Sequence, residues 1–340
     1  MTSFVSIDEG YSLFLKHTPF GQPIEKCNTR NFKQLQENCF WVRINTENIA
    51  EMHYFKTFQY PIKKFPGLSI IKAYAKGIEI NDECSYFLAN FMTIDETRVI
   101  GNADISEEET KMLAEEIVKS FDYFEFTVVG RGQILAWFPG KYPFFEWKFP
   151  FELTDLDYTS CLPDQGGFKT LIRVISNSWR TLKDHPVNRV KIDLGENPAN
   201  FLWFHSQNKH IGNIEPLSEK IKKTTIFWPN TSSLSDFAKY LGFKVVENPP
   251  INPEENIFLW VDIDLKSEDI IGLIKKWESA DSRIVPKIIE SSKKIVMEFN
   301  GGFNFNRKAV YLFYPGQNIG FLKRIIKPGN LPARFLFSNG

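Results

Sequence analysis

Apolar positions recur along the C-terminal part of the chain with two different periods. Thr225–Trp228, Phe243–Glu247 and Ile257–Ile263 are short apolar runs that read as strands, the third of them as a strand buried on both faces. Leu234, Phe237, Ala238 and Leu241 fall on one helical face behind Ser233-Leu-Ser-Asp236, which reads as a capping box, and Gly242 stops that helix. Ile270, Ile271, Ile274 and Trp277 mark a second helix, capped by Ser267, before two further strands at Lys294–Phe299 and Ala309–Phe313. Strands separated by single helices predict a mostly parallel sheet with helices on both sides.

From about Pro61 to Asp193 the pattern changes. Ser106-Glu-Glu-Glu109 is a capping box for a helix carrying Leu113, Ile117 and Phe121. Phe126–Val129 and Ile134–Phe138 are strands joined by Gly130-Arg-Gly132, a hairpin signal. Pro139 to Pro150 is aromatic and broken by prolines, and reads as loop. The expected organisation is therefore an α/β core built from residues 1–61 and 194–340, with a smaller α+β domain inserted at 62–193.

Composition changes this picture little. A chain of 340 residues with 43 % hydrophobic and 24 % charged positions has the material for a large core, so disorder is not expected as its dominant state. The 32 phenylalanines read first as tightly packed core. Forty-one basic residues balance 41 acidic ones, which argues against nucleic acid as a partner. A chain near zero charge also has little repulsion to keep copies apart, so a homo-oligomer or a protein partner is expected. Cys27, Cys39, Cys84 and Cys161 form no CxxC pair and read as reduced thiols. No basic segment followed by a long apolar one opens the chain, and no apolar run approaches membrane-spanning length. A cytoplasmic location without membrane contact is the expectation.

Candidate chemistry is sparse. The five histidines, His17, His53, His185, His205 and His210, form no HExxH and no cluster. There is no GxSxG elbow and no phosphate-binding glycine loop, and Gly301-Gly302 reads as a turn. One local concentration of charge remains: Arg173, Arg180, Lys183, His185, Arg189 and Lys191, with Asp184 the one acid before Asp193. It could grip a phosphate or a carboxylate. A solvated helix face followed by a turn at His185-Pro-Val-Asn188 explains it equally well.

Several segments nevertheless follow one another in a recognisable order. They are Gly77-Ile-Glu-Ile80, Phe87-Leu-Ala-Asn-Phe-Met-Thr-Ile-Asp95, Arg98-Val-Ile100, the stretch from Ile105 to Ala114, Asp184-His-Pro-Val-Asn188 and Asn197-Pro-Ala-Asn200. With His17-Thr-Pro-Phe20 and Asn28-Thr-Arg-Asn31 near the start, the chain resembles the archaeal-type cofactor-independent phosphoglycerate mutases of the alkaline phosphatase superfamily. The resemblance runs from about Phe4 to Glu247 and implies an alkaline-phosphatase-like three-layer core with an inserted substrate-binding lobe. It further implies two divalent cations, manganese or zinc, a serine that accepts the phosphoryl group, and basic residues that hold phosphoglycerate. Physically, the cations lower the serine pKa and neutralise charge on the transferring group while arginines fix its oxygens.

Carried over residue by residue, little of that equipment is present. Asp8 matches the first metal carboxylate. The nucleophile segment reads Asn45-Thr-Glu-Asn-Ile-Ala-Glu51 without serine, and Thr46 is the nearest hydroxyl. The Asp-His metal motif appears as Phe299-Asn-Gly-Gly302, the later histidine is missing from Phe305–Tyr311, and the Asp…His loop after Ile257–Ile263 reads Asp262-Ile-Asp-Leu-Lys-Ser267, with carboxylates but no histidine. In the lobe the arginine-rich segment shrinks to Gly101-Asn-Ala-Asp104, a His-Arg pair becomes Gly130-Arg131, and His205 replaces an arginine. Asp8, Asp262 and Asp264 are thus the vestigial metal candidates. Arg131, Arg173, Arg180, Lys183, His185 and Arg189 are the phosphate-binding candidates, and no residue is assigned as catalytic. One or two carboxylates cannot hold two divalent ions, whose loss removes several kcal/mol of barrier lowering as an order of magnitude. The reading is a degenerate member without cofactors, kept as a partner-binding pseudoenzyme. Its alternatives are a non-catalytic binder of a phosphorylated metabolite and a divergent mutase or phosphohydrolase centred on the three aspartates.

Overall fold

The computed structural model describes residues 2–8, 31, 40–45, 49–121, 123–164, 166–209, 212, 214–229, 234–248, 256–265, 270–291, 294–300 and 308–314. In chain order the elements are β1 (Thr2–Asp8), β2 (Phe40–Asn45), α1 (Ala50–Thr57), α2 (Leu68–Ala75), β3 (Cys84–Asp95), β4 (Arg98–Asn102), α3 (Glu107–Ser120), β5 (Glu125–Gly130) and β6 (Gln133–Pro139). There follow α4 (Pro150–Leu153), α5 (Lys169–Leu182), α6 (Pro186–Asp193), β7 (Phe201–His205), α7 (Leu217–Ile221), β8 (Thr224–Pro229), α8 (Ser235–Tyr240) and β9 (Lys244–Val245). The last are β10 (Ile257–Asp264), α9 (Ile270–Arg283), α10 (Val285–Ser291), β11 (Lys294–Asn300) and β12 (Lys308–Tyr314).

The chain divides into two compact units, 1–65 with 213–340, and 66–212. The second break differs from the 193/194 boundary read from the sequence. Its cause is β7, whose residues Phe201–His205 pair antiparallel with Met92–Leu88 of β3 and so belong to the inserted unit. Each unit carries its own sheet, and the architecture is mixed α/β: a largely parallel sheet in one unit, an antiparallel sheet in the other.

In the first unit the strand order is β2-β12-β11-β1-β10-β8-β9. β11, β1, β10, β8 and β9 run parallel, whereas β12 and β2 are antiparallel to their neighbours. The apolar run of β10 is central: Phe258, Leu259, Trp260, Val261 and Ile263 are all buried. Trp260 packs edge-on to Phe4 and Phe58 on one face together with Phe227 and Phe243. Ser233 and Ser267 lie outside the described residues. α8 begins at Ser235, and the residue at its cap position, Leu234, makes no side-chain cap bond, which differs from the expected Ser233 box.

In the second unit the order is β4-β3-β6-β5, with β7 beside β3. Phe87, Ala89 and Phe91 of β3 alternate onto one face with Ile134, Ala136 and Phe138 of β6, as period-2 burial requires. That face is covered by Leu113, Ala114 and Ile117 of α3 and Leu171, Val174 and Ile175 of α5. α3 starts at the expected capping box: the Glu109 amide donates to Ser106 Oγ (3.1 Å) and the Ser106 amide to Glu109 Oε2 (2.7 Å). The Gly130–Gly132 turn is made possible by Gly132 at φ +65°, and its amide donates to Thr110 Oγ1 (2.8 Å).

The proline-broken stretch after β6 is irregular, so its backbone needs partners outside a sheet. Buried Gln207 supplies them. Its Oε1 accepts from the Phe145 amide (3.1 Å) and Trp147 Nε1 (3.3 Å), and its Nε2 donates to the Pro143 carbonyl (2.9 Å). Among the described residues no helix is long and apolar enough to cross a membrane.

Candidate functional site

Ligands of parallel α/β sheets bind beyond the carboxyl ends of the strands. Here register decides what stands at those ends. Ser6 of β1 is level with Asp262 of β10, and Asp8 with Asp264. On the other side Ile7 is level with Phe299, so Asn300 is the next residue of β11, at the height of Asp8. Three adjacent parallel strands therefore end in Asn300, Asp8 and Asp264. The sequence candidates Asp8 and Asp264 are brought together.

Asp262 is different. It lies one residue pair below the strand ends, about 6.6 Å down the strand, and is 3 % exposed. Ser6 Oγ donates to its Oδ1 (2.7 Å), and Trp260 Nε1 donates to Ser6 Oγ (2.9 Å). A buried carboxylate costs several kcal/mol without such donors, so this pairing helps Asp262 lie inside the sheet. Ser6 was missed in the sequence. Its signal in the sequence is a polar residue on the same strand face as Phe4 and Asp8.

The strand-end set is oxygen-only: two carboxylates and one carboxamide. The histidines described in the structure are engaged elsewhere. His53 is buried in α1 with its ring edge-on to Tyr54, and His185 and His205 belong to the second unit. His17, Thr46, His210 and Gly301-Gly302 lie outside the described residues. Paired manganese or zinc ions prefer imidazole and carboxylate ligands filling about four positions each. By residue type these three positions alone do not make up the ligands of such a pair; residues 9–30, 266–269 and 301–307, which follow the three strands, lie outside the described residues.

The candidates in the second unit are held locally. Arg131, at the β5–β6 turn, pairs with Asp104 Oδ1 at 2.7 Å, both side chains largely exposed. Arg173 contacts Tyr123, with its guanidinium 6.0 Å from the ring centre. Lys183 Nζ lies 4.7 Å over the Trp179 ring and 4.0 Å from Asp184. His185 caps α6, its Nδ1 accepting from the Val187 amide at 3.3 Å. Burial lowers its pKa, opposed by Glu116 and reinforced by Lys119. Arg180 and Arg189 are exposed on α5 and α6, and among the described residues neither has an ion-pair partner. Lys191 points inward and binds Glu196 at 3.1 Å.

His205 is fully buried. Its Nε2 is 2.8 Å from Asn90 Oδ1, which also accepts from Gln133 Nε2 (3.0 Å), and its Nδ1 is 2.8 Å from Ser206 Oγ. Asn90 Oδ1 being an acceptor, the ring proton sits on Nε2. Burial pushes the pKa down to about 3, so the ring is neutral near pH 7. A neutral imidazole cannot replace the charge of an arginine on a phosphate.

Two segments behind the resemblance are structural latches. Asn188 donates to the Leu182 and Ala199 carbonyls (2.8 and 3.0 Å) and accepts from the Ala199 amide (2.7 Å). Asn200 closes a two-way bond with the backbone of Ile94 at 2.9 and 3.0 Å. A cavity of about 340 Å³ opens where β3 begins, lined among others by Asp82, Cys84, Lys141, Phe144 and Lys209. Its cations are matched already: Lys141 lies 3.5 Å from Glu83, and Lys209 lies 4.6 Å over the Phe144 ring.

A largely parallel sheet in one unit and an antiparallel sheet in the other define the class of fold. The fold is shared with the PH0037 protein from Pyrococcus horikoshii (TM-score 0.59, 17 % identity, 92 % of this chain and 87 % of that one). Residues 50–188 match the family model of 2,3-bisphosphoglycerate-independent phosphoglycerate mutase. The chain is 24 % identical over 311 residues to 2,3-bisphosphoglycerate-independent phosphoglycerate mutase 2 of Methanocaldococcus jannaschii, covering 81 % of this chain and 71 % of that protein. It is 23 % identical over 270 residues to the 2,3-bisphosphoglycerate-independent phosphoglycerate mutase of Methanosarcina barkeri, covering 68 % and 65 %. In sequence the chain is thus similar to 2,3-bisphosphoglycerate-independent phosphoglycerate mutases.

Proposed function

We propose that this chain is a phosphoglycerate-mutase-like protein that no longer performs metal-assisted phosphoryl transfer and acts as a partner-binding scaffold. The observation that carries this reading is the oxygen-only set Asn300, Asp8 and Asp264 at the three strand ends. Without imidazoles it gives two cations too few ligands, and the nucleophile segment supplies no serine. The neutral His205 and the Arg131–Asp104 pair support the same reading from the substrate side.

The test is turnover of 3-phosphoglycerate, followed by phosphorus NMR with manganese, zinc, cobalt or magnesium in excess, together with the metal content of the purified chain. The expected outcome is no conversion above the blank and no tightly held pair of cations. Conversion that disappears in Asp8→Asn would overturn the proposal. It would favour the second reading, a divergent mutase, which the in-register Asp8–Asp264 pair supports.

A further inference from the structure

α3 and α5 lie side by side over the same core and carry opposite charge. α3 holds Glu107, Glu108, Glu109, Glu115 and Glu116 against Lys111 and Lys119, a net charge of −3. α5 holds Lys169, Arg173 and Arg180 and no acid, a net +3, and Lys183 follows directly. Their inward positions are uncharged, apolar except for Thr110 and Ser178, so the charges stand on the outer face of one helical layer. Each lysine of α3 pairs with a glutamate of its own helix, at 3.9 and 3.4 Å, which leaves Glu107 and Glu108 outside those pairs. Among the described residues no ion pair joins α3 to α5. The opposite charges of the two helices are therefore not used to hold them to each other.

That layer also exposes large apolar side chains. Met112 on α3 is 47 % exposed and Trp179 on α5 is 38 % exposed. An acidic helix beside a basic helix, each with an apolar residue on the outer face, is a self-complementary surface. A two-fold axis running along the groove between α3 and α5 lays the α3 of one copy over the α5 of the other, twice. Each contact then opposes glutamates to arginines around Met112 and Trp179. Zero net charge on the whole chain leaves no long-range repulsion against this encounter.

We propose that the outer face of α3 and α5 is a homodimer interface whose occupant is a second copy of the same chain. The arrangement does not depend on whether the strand-end site turns over substrate, and it is read by mass rather than by activity. Analytical ultracentrifugation of the full chain is expected to give twice the chain mass at low salt. The dimer weakens in 1 M sodium chloride, where charges are screened beyond about 3 Å. The triple variant Arg173→Glu, Arg180→Glu, Lys183→Glu is expected to be monomeric, as is Glu107→Lys, Glu108→Lys, Glu115→Lys. Mixed together the two form a heterodimer, because both contacts regain opposite charges. A milder variant, Arg180→Gln with Lys183→Gln, keeps helix propensity and is expected to raise the dimer dissociation constant about tenfold. A monomeric wild-type chain overturns the proposal, as does a dimer that survives in a charge-reversed variant whose melting curve shows it folded.

Discussion

The two units treat their polar residues in opposite ways. In the antiparallel unit nearly every buried polar side chain discussed above is closed on protein: His205 on Asn90 and Ser206, Asn188 on Ala199, Asn200 on Ile94, Gln207 on the stretch after β6. In the parallel unit Asn300, Asp8 and Asp264 stand level at three strand ends, and Asp262, one residue pair below, is bonded to Ser6. The stretch that matches the family model, 50–188, covers most of the first kind of region and none of β1, β10 or β11. On the proposed reading, residues that hold the fold keep the likeness, while residues that would do chemistry are free to differ. Within 50–188 the likeness includes such latches as Asn188 and the core around them.

The largest test of that contrast is the aromatic core of the antiparallel unit. Phe138 is fully buried and packs against Phe87, Phe124, Tyr142 and Phe204. Phe138→Ala is expected to cost about 3–5 kcal/mol in urea unfolding. In the parallel unit, Ser6→Ala leaves the Asp262 carboxylate without the Ser6 donor and Trp260 Nε1 without its acceptor. It is expected to cost about 3 kcal/mol, the upper end for a buried group stripped of a partner. A cost below about 0.5 kcal/mol would mean that Asp262 is not held as described.

The next effect is a pH dependence. The folded His205 has its pKa lowered to about 3, against about 6.5 unfolded, so protons favour the unfolded chain below pH 6.5. Stability from this group is complete above pH 6.5 and falls by about 1.4 kcal/mol per unit as pH drops towards 3. By pH 5 the loss is about 2 kcal/mol, and His205→Gln removes that slope from denaturation curves taken between pH 7 and 5. Smallest is the exposed pair at the β5–β6 turn: Arg131→Ala is expected to change stability by less than about 0.5 kcal/mol. A larger loss would assign Arg131 a part in the fold that its exposure argues against.

Much of the fold could be read from local pattern. β10, the α3 capping box and the Gly130–Gly132 turn announce themselves because each is decided by neighbours in sequence. Strand direction is not local, so the antiparallel course of β12 was invisible in its apolar run. β7 was lost to the inserted unit for a similar reason: Phe201–His205 reads as a strand only once β3 stands beside it. At the site, Asp8 and Asp264 were legible through the resemblance, but their shared height was not, since register depends on how β1 meets β10. Ser6 and Asn90 were hidden because a hydroxyl or amide inside a strand declares its partner only in three dimensions. The basic run from Arg173 to Lys191 was visible, and the sequence left its meaning open. The helix at its side, α3, carries the opposite charge.

Gln207 has a further consequence. One side-chain amide reaches three backbone or indole groups spread over Pro143, Phe145 and Trp147, so these contacts share a single keystone. They cannot fray one at a time. A substitution that removes the amide loosens all three groups together and leaves Trp147 to its ring contacts with Phe87, Phe168 and Trp203.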